Sequence, residues 1–325
     1  MERTAMRGEF AVRLLVSVVI LVTGVAVAQD STKEQCSMAV VSRLVGSGQR
    51  VCDTTVAQDM AKRGHAFEQN QSGLASVLAI GPDFSEQQAV GGFKQAAQRG
   101  YAPAQVNLAV MYINGWGTRT NYGTALRWLH AAADQKFARA YYNLGILYLQ
   151  GQGVHQDNAE AFRWFQKGAD AGDPDAQTNL GYMHDQGLGC TRDVKTAATW
   201  YRKAAEAGNP LGEYNLADLY LRGEGLHQDS AEAFRWFQKA AAQGHTGARI
   251  KLAYMYAEGM GTEKDPEAAY TWLTSASLAG DQRGRDLAPN LEAQMSPEQI
   301  AEARQRAHTL PAPAGRQLSA KAFAQ

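Results

Sequence analysis

The chain has 325 residues, and its 32 lysines and arginines equal its 32 aspartates and glutamates in number. It contains no basic block and no interleaving of aromatic and basic residues, so we expect no nucleic-acid partner. Its three cysteines and seven histidines match neither H-E-x-x-H nor paired C-x-x-C spacing, so we expect no metal site and no cofactor.

Residues 1–28 have the features of a secretory signal peptide. Three arginines precede the apolar run from Leu14 to Val22, and Ala26-Val27-Ala28 before Gln29 has the A-x-A form of a cleavage site. An uncleaved membrane anchor is the alternative, but Leu14 to Ala28 is only about 15 residues, and spanning a bilayer takes ~20. We therefore predict cleavage after Ala28 and a periplasmic or secreted mature protein without a membrane span.

Residues 29–84 fit the repeat described below poorly, and we predict that they form a helical N-terminal cap. Gly64 falls in register with Gly100, so this region can be a degenerate first repeat. Cys36 and Cys52 both lie here. Export to an oxidising compartment would permit a disulfide between them, and two free thiols are the alternative.

A 36-residue period dominates the chain from 85 to 290. Tryptophan recurs at this spacing at Trp128, Trp164, Trp200, Trp236 and Trp272. The segment HQDNAEAFRWFQK at 155–167 returns at 227–239 with one change. A fixed period of this length is the signature of a solenoid. The predicted units start at 85, 121, 157, 193, 229 and 265.

Each unit has the pattern of a helical hairpin. In the unit that starts at 157, Asp157 and Glu160 form a capping-box pattern, and an apolar stripe follows at helical spacing. Gly172 ends the first helix, and only Lys136 interrupts this glycine series. The second helix covers about 175–186, and the loop Gly187-Leu-Gly189 requires unusual backbone angles twice. We predict an all-α, α/α superhelical solenoid of 36-residue hairpins, with the tryptophans as the bulky packing partners.

These residues resemble a known repeat. The pattern D-x-x-x-A-x-x-W-[FY]-x-K-A-A-x-x-G followed by A-x-x-x-L-[GA]-x-[ML]-Y-x-x-G-x-G is similar to the Sel1-like repeat, a branch of the tetratricopeptide-like α/α solenoids. One copy comprises Asp193, Ala197, Trp200, Tyr201, Lys203, Ala204, Ala205, Gly208, Leu216, Leu219, Tyr220, Gly223 and Gly225. Gly92 in place of the first tryptophan and His184 in place of a tyrosine are local departures. The resemblance implies an adaptor that holds or inhibits protein partners.

Beyond the repeats, we predict a capping helix within 291–309 and a disordered tail at 310–325. Ser296-Pro297-Glu298-Gln299 is a helix start with a capping box, and the helix continues to His308. The tail contains two prolines and few apolar residues.

In tetratricopeptide-like folds the second helix of each hairpin lines an inner groove, and we predict that a partner binds there. The predicted contact residues lie at i, i+3, i+7 and i+10 positions of these helices: Arg139, Tyr142, Ile146, Leu149, Thr178, Tyr182, Asp185, Leu211, Tyr214, Asp218, Leu221, Ile250 and Tyr254. Val106, Val110, Ile113, Asp175 and Ala257 occupy equivalent positions. Such a tyrosine- and leucine-rich surface suits an extended or helical peptide. The alternative is that these side chains are buried between neighbouring units.

No enzymatic motif is present. The sequence lacks G-x-S-x-G, a phosphate loop and a dinucleotide fingerprint, and each repeated G-x-G ends a helix instead of opening one after a strand. We therefore expect an exported, non-enzymatic protein-interaction scaffold of the bacterial cell envelope. The main alternative is a protein that binds cell-wall fragments or β-lactam-like molecules with weak hydrolase activity, although the cysteine pair that such relatives carry in each repeat is missing. A membrane-anchored assembly factor is a third alternative, and it requires an uncleaved leader.

Overall fold

The computed structural model describes residues 65–70 and 86–311. The chain divides into two units, Met1–His65 and Ala66–Gln325, and the second contains the repeats. The predicted signal peptide, Cys36 and Cys52, most of the predicted N-terminal cap and nearly all of the predicted tail lie outside the described residues. Every regular element of the described ranges is an α-helix, which confirms the predicted fold class.

The helices follow one another in chain order after a helical stretch at 65–70. They are α1 (Glu86–Gln98), α2 (Ala102–Asn114), α3 (Tyr122–Asp134), α4 (Ala138–Gln150), α5 (Asn158–Asp170), α6 (Pro174–Gln186), α7 (Val194–Glu206), α8 (Pro210–Arg222), α9 (Ser230–Ala242), α10 (Thr246–Glu258), α11 (Pro266–Leu278), α12 (Gln282–Glu292) and α13 (Pro297–Thr309). Within 65–70 and 86–311, no helix is long and apolar enough to cross a membrane.

Consecutive helices pair as hairpins, and the hairpins stack. From α2 to α11, the second helix of each hairpin packs more extensively against the first helix of the next hairpin than against its own partner. Among the second helices, α6 also contacts both α4 and α8. At the C-terminal end, α13 packs against α11. Each hairpin therefore completes the core of its neighbour, as expected for a solenoid.

Aspartates cap the first helices α5, α7, α9 and α11, and Asn121 caps α3, but the predicted capping box is incomplete. Asp157 Oδ1 accepts hydrogen bonds from the backbone N–H groups of Ala159 (2.9 Å) and Glu160 (3.0 Å). The carboxylate of Glu160 pairs with Arg163 at 2.8 Å and does not reach back to Asp157. The reason is that the N–H of Asp157 already donates to the carbonyl of Tyr148 at 3.0 Å. The reciprocal box does form at Ser296 and Gln299.

The G-x-G loop that follows each second helix packs against the first turn of the same hairpin's first helix. Gly187 and Gly189 have φ values of 71° and 69°, as the sequence predicted. A Cβ on Gly189 would overlap the carbonyl of Asn158 in the first turn of α5. Lys136 replaces a helix-ending glycine and still adopts φ 61°, the left-handed conformation that glycine provides elsewhere in the series.

The tryptophans are less buried than the sequence suggested. Trp164 and Trp200 are half-buried, whereas the aromatic residues that follow them, Phe165 and Tyr201, are 0% and 2% exposed. Each of these buried rings lies over a glycine of the preceding second helix; a Cβ on Gly145 would lie 2.7 Å from Phe165. The tryptophans pack at the edge of the preceding hairpin's core, under the lysine three residues later. The main packing partner is thus the residue after the tryptophan.

Candidate functional site

The predicted contact residues lie on α4, α6, α8 and α10, the second helices of four consecutive hairpins. Because α4 contacts α6 and α6 contacts α8, the first three of these helices form one continuous surface. An ion pair between Lys251 Nζ of α10 and Asp218 Oδ1 of α8, 3.2 Å long, connects the fourth.

Part of the predicted set is buried. Tyr142, Ile146, Thr178 and Asp185 are 5%, 2%, 2% and 7% exposed. Tyr142 packs on Phe165 of α5, with ring centroids 6.1 Å apart. These four side chains fill the space between helices, as the packing alternative predicts, and they leave little surface for contact with a partner. Val106 and Ile113, in the equivalent positions of α2, are also buried.

The exposed part of the set lies further along the stack. Tyr182, Leu211 and Tyr254 are 43%, 38% and 55% exposed. Tyr182, Asp218 and Tyr254 occupy the same position of three successive repeats, 36 residues apart. We call Tyr182, Leu211, Asp218 and Tyr254 the tyrosine face. The remaining predicted residues are half-buried: Arg139, Leu149, Tyr214, Leu221 and Ile250.

Ion pairs hold Asp218 within the tyrosine face. Besides Lys251, its carboxylate accepts a hydrogen bond of 2.7 Å from Arg222 Nε. Arg222 also pairs with Glu224 at 2.8 Å, and Glu224 pairs with Arg192 at 3.3 Å. Each partly exposed pair contributes only about 0–1 kcal/mol. The network therefore contributes little to stability, and its main effect is to fix the orientation of the Asp218 carboxylate.

The buried hydroxyl of Tyr201 lies beneath this region. Burial raises the pKa of Tyr201 above its ordinary value, and the nearby Asp185 raises it further. Tyr182 and Asp218 act on it in the same direction, and Arg222 opposes them. Tyr201 therefore stays neutral at physiological pH and serves as the apolar support of the exposed residues.

A second polar cluster lies at the N-terminal ends of α4, α6 and α8. Arg139 Nε pairs with Asp173 at 3.0 Å, and its guanidinium also pairs with Asp175. Asn209 Nδ2 donates to Asp175 Oδ1 at 2.7 Å, and Thr178 Oγ1 donates to Asn209 Oδ1 at 3.1 Å. Arg139 and Thr178 are therefore engaged within the protein, where they join successive second helices.

Sequence reasoning missed two members of this cluster. Asp173 and Asn209 each precede a proline and cap the helix that follows, accepting hydrogen bonds from Ala176 and Gly212 respectively. The signal was present as a short polar residue directly before Pro174 or Pro210, a common helix start. Burial raises the pKa of Asp173, an effect that the charge of Arg139 opposes.

The described residues do not form a reactive centre around cysteine or a metal-binding cluster. Within 65–70 and 86–311, no group of three or more His, Cys, Asp or Glu could hold a metal ion. The Cys190 thiol lies 3.8 Å from His184 Nδ1, but burial raises the pKa of Cys190 and lowers that of His184. Both groups are therefore held neutral, which is the opposite of an activated thiolate–imidazolium pair.

Comparisons with known proteins agree with this repeat architecture. The Sel1 repeat family matches residues 102–137, 138–173, 174–209, 210–245 and 247–281, together more than half of the chain. Each match covers the second helix of one hairpin and the first helix of the next. No curated protein matches the chain.

Two solved structures illustrate the likeness. A Sel1 repeat protein from Oxalobacter formigenes is 30% identical, with 65% of this chain and 87% of that chain covered and a TM-score of 0.61. A protective antigen of uropathogenic Escherichia coli that displays an SLR fold is 25% identical, with 78% of this chain and 63% of that chain covered and a TM-score of 0.48.

Proposed function

Because this chain belongs to the Sel1 repeat family, whose members are in general protein-interaction scaffolds, we propose that it is a non-enzymatic adaptor for a protein or peptide partner. The observation that carries this proposal is the tyrosine face. It places two exposed tyrosines and an exposed leucine on packed helices, and tyrosine combines a large apolar ring with a hydrogen-bonding hydroxyl. Such side chains on a rigid support bind a partner with little loss of conformational entropy.

The proposed partner is a polypeptide that places apolar side chains on the rings of Tyr182 and Tyr254. The Asp218 network lies between them and provides both acidic and basic side chains at the edge of the contact. A peptide in this position crosses α6, α8 and α10, and thus contacts three consecutive repeats. The buried side chains of α4 are not part of this contact.

We also propose that the adaptor works outside the cytoplasm, in the cell envelope of a bacterium. Support comes from residues 1–28, with their basic start, apolar core and A-x-A sequence. N-terminal sequencing of the protein recovered from fractionated cells tests this step. A mature N-terminus at Gln29 in the periplasmic or secreted fraction is expected. An intact Met1 in the membrane fraction would support the anchored alternative.

Cross-linking and mass spectrometry on intact envelopes tests the binding site. Lys251 provides an amine beside Asp218, so cross-links to a partner are expected at Lys251. They should be lost in the triple variant Tyr182→Ser, Leu211→Ser, Tyr254→Ser.

The control variant changes Leu278 and Leu287 to Ser, because their exposures (54% and 44%) fall in the same range as those of the triple-variant residues but they lie on α11 and α12. Both variants should retain the far-ultraviolet circular dichroism of the wild type. Loss of the partner in the control variant, with retention in the triple variant, would place the site elsewhere.

A further inference from the structure

At one position of the second helix, the side chain points back to the C-terminal end of the first helix of the same hairpin. In three repeats the side chain donates a hydrogen bond to the carbonyl eight residues before it. The pairs are Gln105 Nε2 to Ala97 O (3.3 Å), Gln177 Nε2 to Ala169 O (3.3 Å) and Arg249 Nε to Ala241 O (3.5 Å). In the repeat with Tyr141 at this position, the ring instead stacks on Trp164. The position thus favours a hydrogen-bond donor directed at the C-terminal end of the first helix.

Glu213 occupies this position in α8, and the carbonyl eight residues earlier is that of Ala205. Glu213 is 3% exposed. Its Oε2 accepts a hydrogen bond of 2.8 Å from Gln243 Nε2, just as Gln105 Oε1 accepts one of 2.9 Å from Gln135 Nε2. The second carboxyl oxygen, Oε1, therefore corresponds to the donating nitrogen of Gln105.

A charged carboxylate cannot fill that role. Ionised carboxylates only accept hydrogen bonds, whereas a protonated carboxyl group donates one. The carbonyl of Ala205 lies in the last turn of α7, where the helix dipole is negative and repels an anion. Among the described residues, the charged side chain that acts on Glu213 is Lys239 of α9, which favours the ionised form; α6 and α7 contribute none to the shift.

Burial raises the pKa of Glu213 by more than Lys239 and the Gln243 hydrogen bond lower it. The pKa of Glu213 is raised from 4.5 to about 7, with burial as the largest cause.

We propose that Glu213 binds a proton below neutral pH, that Oε1 donates it to the carbonyl of Ala205, and that its loss as the pH rises loosens the junction of α7, α8 and α9. The carboxyl group then acts as a pH-sensitive link between adjacent hairpins. Because α8 also carries Leu211 and Tyr214, the proton on Glu213 determines how firmly that helix is held. This proposal does not depend on the identity of a partner.

The sign of the pH dependence follows from the two states. The folded protein retains the proton up to about pH 7, whereas the unfolded chain releases it near 4.5. The folded state therefore binds more protons in this window, so stability falls as the pH rises through it. The unfolding equilibrium constant should increase on the order of a hundredfold across the window from this group alone.

Carboxyl carbon-13 NMR of the full chain measures the titration of Glu213 directly, with Glu213→Gln used to assign its signal. A midpoint well above that of an ordinary glutamate is expected. A midpoint near the ordinary value would overturn the proposal, whatever the stability of the variants.

Urea unfolding between about pH 5 and pH 8 provides the second measurement. Glu213→Gln restores the donor found in two other repeats, so the part of the stability loss with rising pH that Glu213 causes should disappear. At about pH 8 the unfolding free energy of the variant should be higher than that of the wild type. The reciprocal change Gln105→Glu, next to Gln135, should introduce a similar loss. Equal pH slopes in the wild type and Glu213→Gln would contradict the proposal.

Discussion

Replacing Tyr201 with alanine should destabilise the protein more than replacing the neighbouring Trp200, although tryptophan is the larger residue. Tyr201 is 2% exposed, and its ring lies against Gly181, where a Cβ would come within 2.7 Å. Removing a fully buried aromatic side chain costs about 3–5 kcal/mol, because the surrounding helices cannot close the cavity.

Trp200 is only half-buried, and Lys203 lies 4.0 Å above its ring. Fully burying a large apolar side chain stabilises a protein by about 1.5–3 kcal/mol, and half of this is about 0.8–1.5 kcal/mol. An exposed cation–π contact adds about 0.5–1 kcal/mol. The expected loss for Trp200→Ala is therefore about 2 kcal/mol.

Urea unfolding followed by circular dichroism provides the comparison. Tyr201→Phe is the matched control, because Phe165 and Phe237 fill the same position in neighbouring repeats. It should change the unfolding free energy by less than about 1 kcal/mol. If Trp200→Ala costs as much as Tyr201→Ala, the assignment of the main packing partner is wrong.

Three further predictions concern the loops and one helix cap. Gly189→Ala should lower the unfolding free energy by at least about 2 kcal/mol, because the alanine Cβ would overlap the backbone of Asn158. Gly208→Ala should lower it by about 1 kcal/mol, since Gly208 has φ 79° but open space around it among the described residues. Thermal unfolding compares the two variants. Lys136→Gly should raise the melting temperature slightly, since φ 61° costs lysine about 1 kcal/mol; a lower melting temperature would contradict this strain. Burial, with a smaller contribution from Arg283, lowers the pKa of His245 from 6.5 to about 4, so stability should fall as the pH drops through this window. His245→Asn retains a side-chain helix cap and should remove the loss of stability at low pH that protonation of His245 causes, as measured by acid unfolding. Identical acid-unfolding curves for the variant and the wild type would contradict this role of His245.

The hairpins could be predicted from the sequence because their determinants are local. The 36-residue period, the capping aspartates and the paired glycines each act within a few residues of the helix end that they define. Even the exception at Lys136 was visible as a break in a glycine series, although the sequence alone did not predict that its backbone keeps the left-handed angle.

The candidate site was only partly predictable because exposure depends on neighbouring repeats. Ile146, Tyr182 and Tyr254 occupy one repeat position but are 2%, 43% and 55% exposed. Ile146 packs in the core around Phe165, a contact that lies outside its own hairpin. A helical pattern identifies which side chains share a face, but it does not determine which of these faces the next repeat covers.

The same limitation applied to the paired aromatic residues of the first helix. Trp200 and Tyr201 both belong to the apolar stripe, and the pattern alone favours the larger residue as the buried one. The deciding feature is Gly181, which leaves room for a ring on the facing second helix. The glycine was visible in the sequence, but its significance required knowing which helices face each other.

Because the most extensive packing joins the second helix of one hairpin to the first helix of the next, every internal junction is built from the same pair of surfaces. Removing one complete 36-residue segment brings together two ends that already complement each other. The chain can therefore gain or lose modules by recombination without a new interface having to evolve. The segments at 155–167 and 227–239 differ at one position, the pattern expected when a module is copied, and each added or lost copy would change the number of second helices by one.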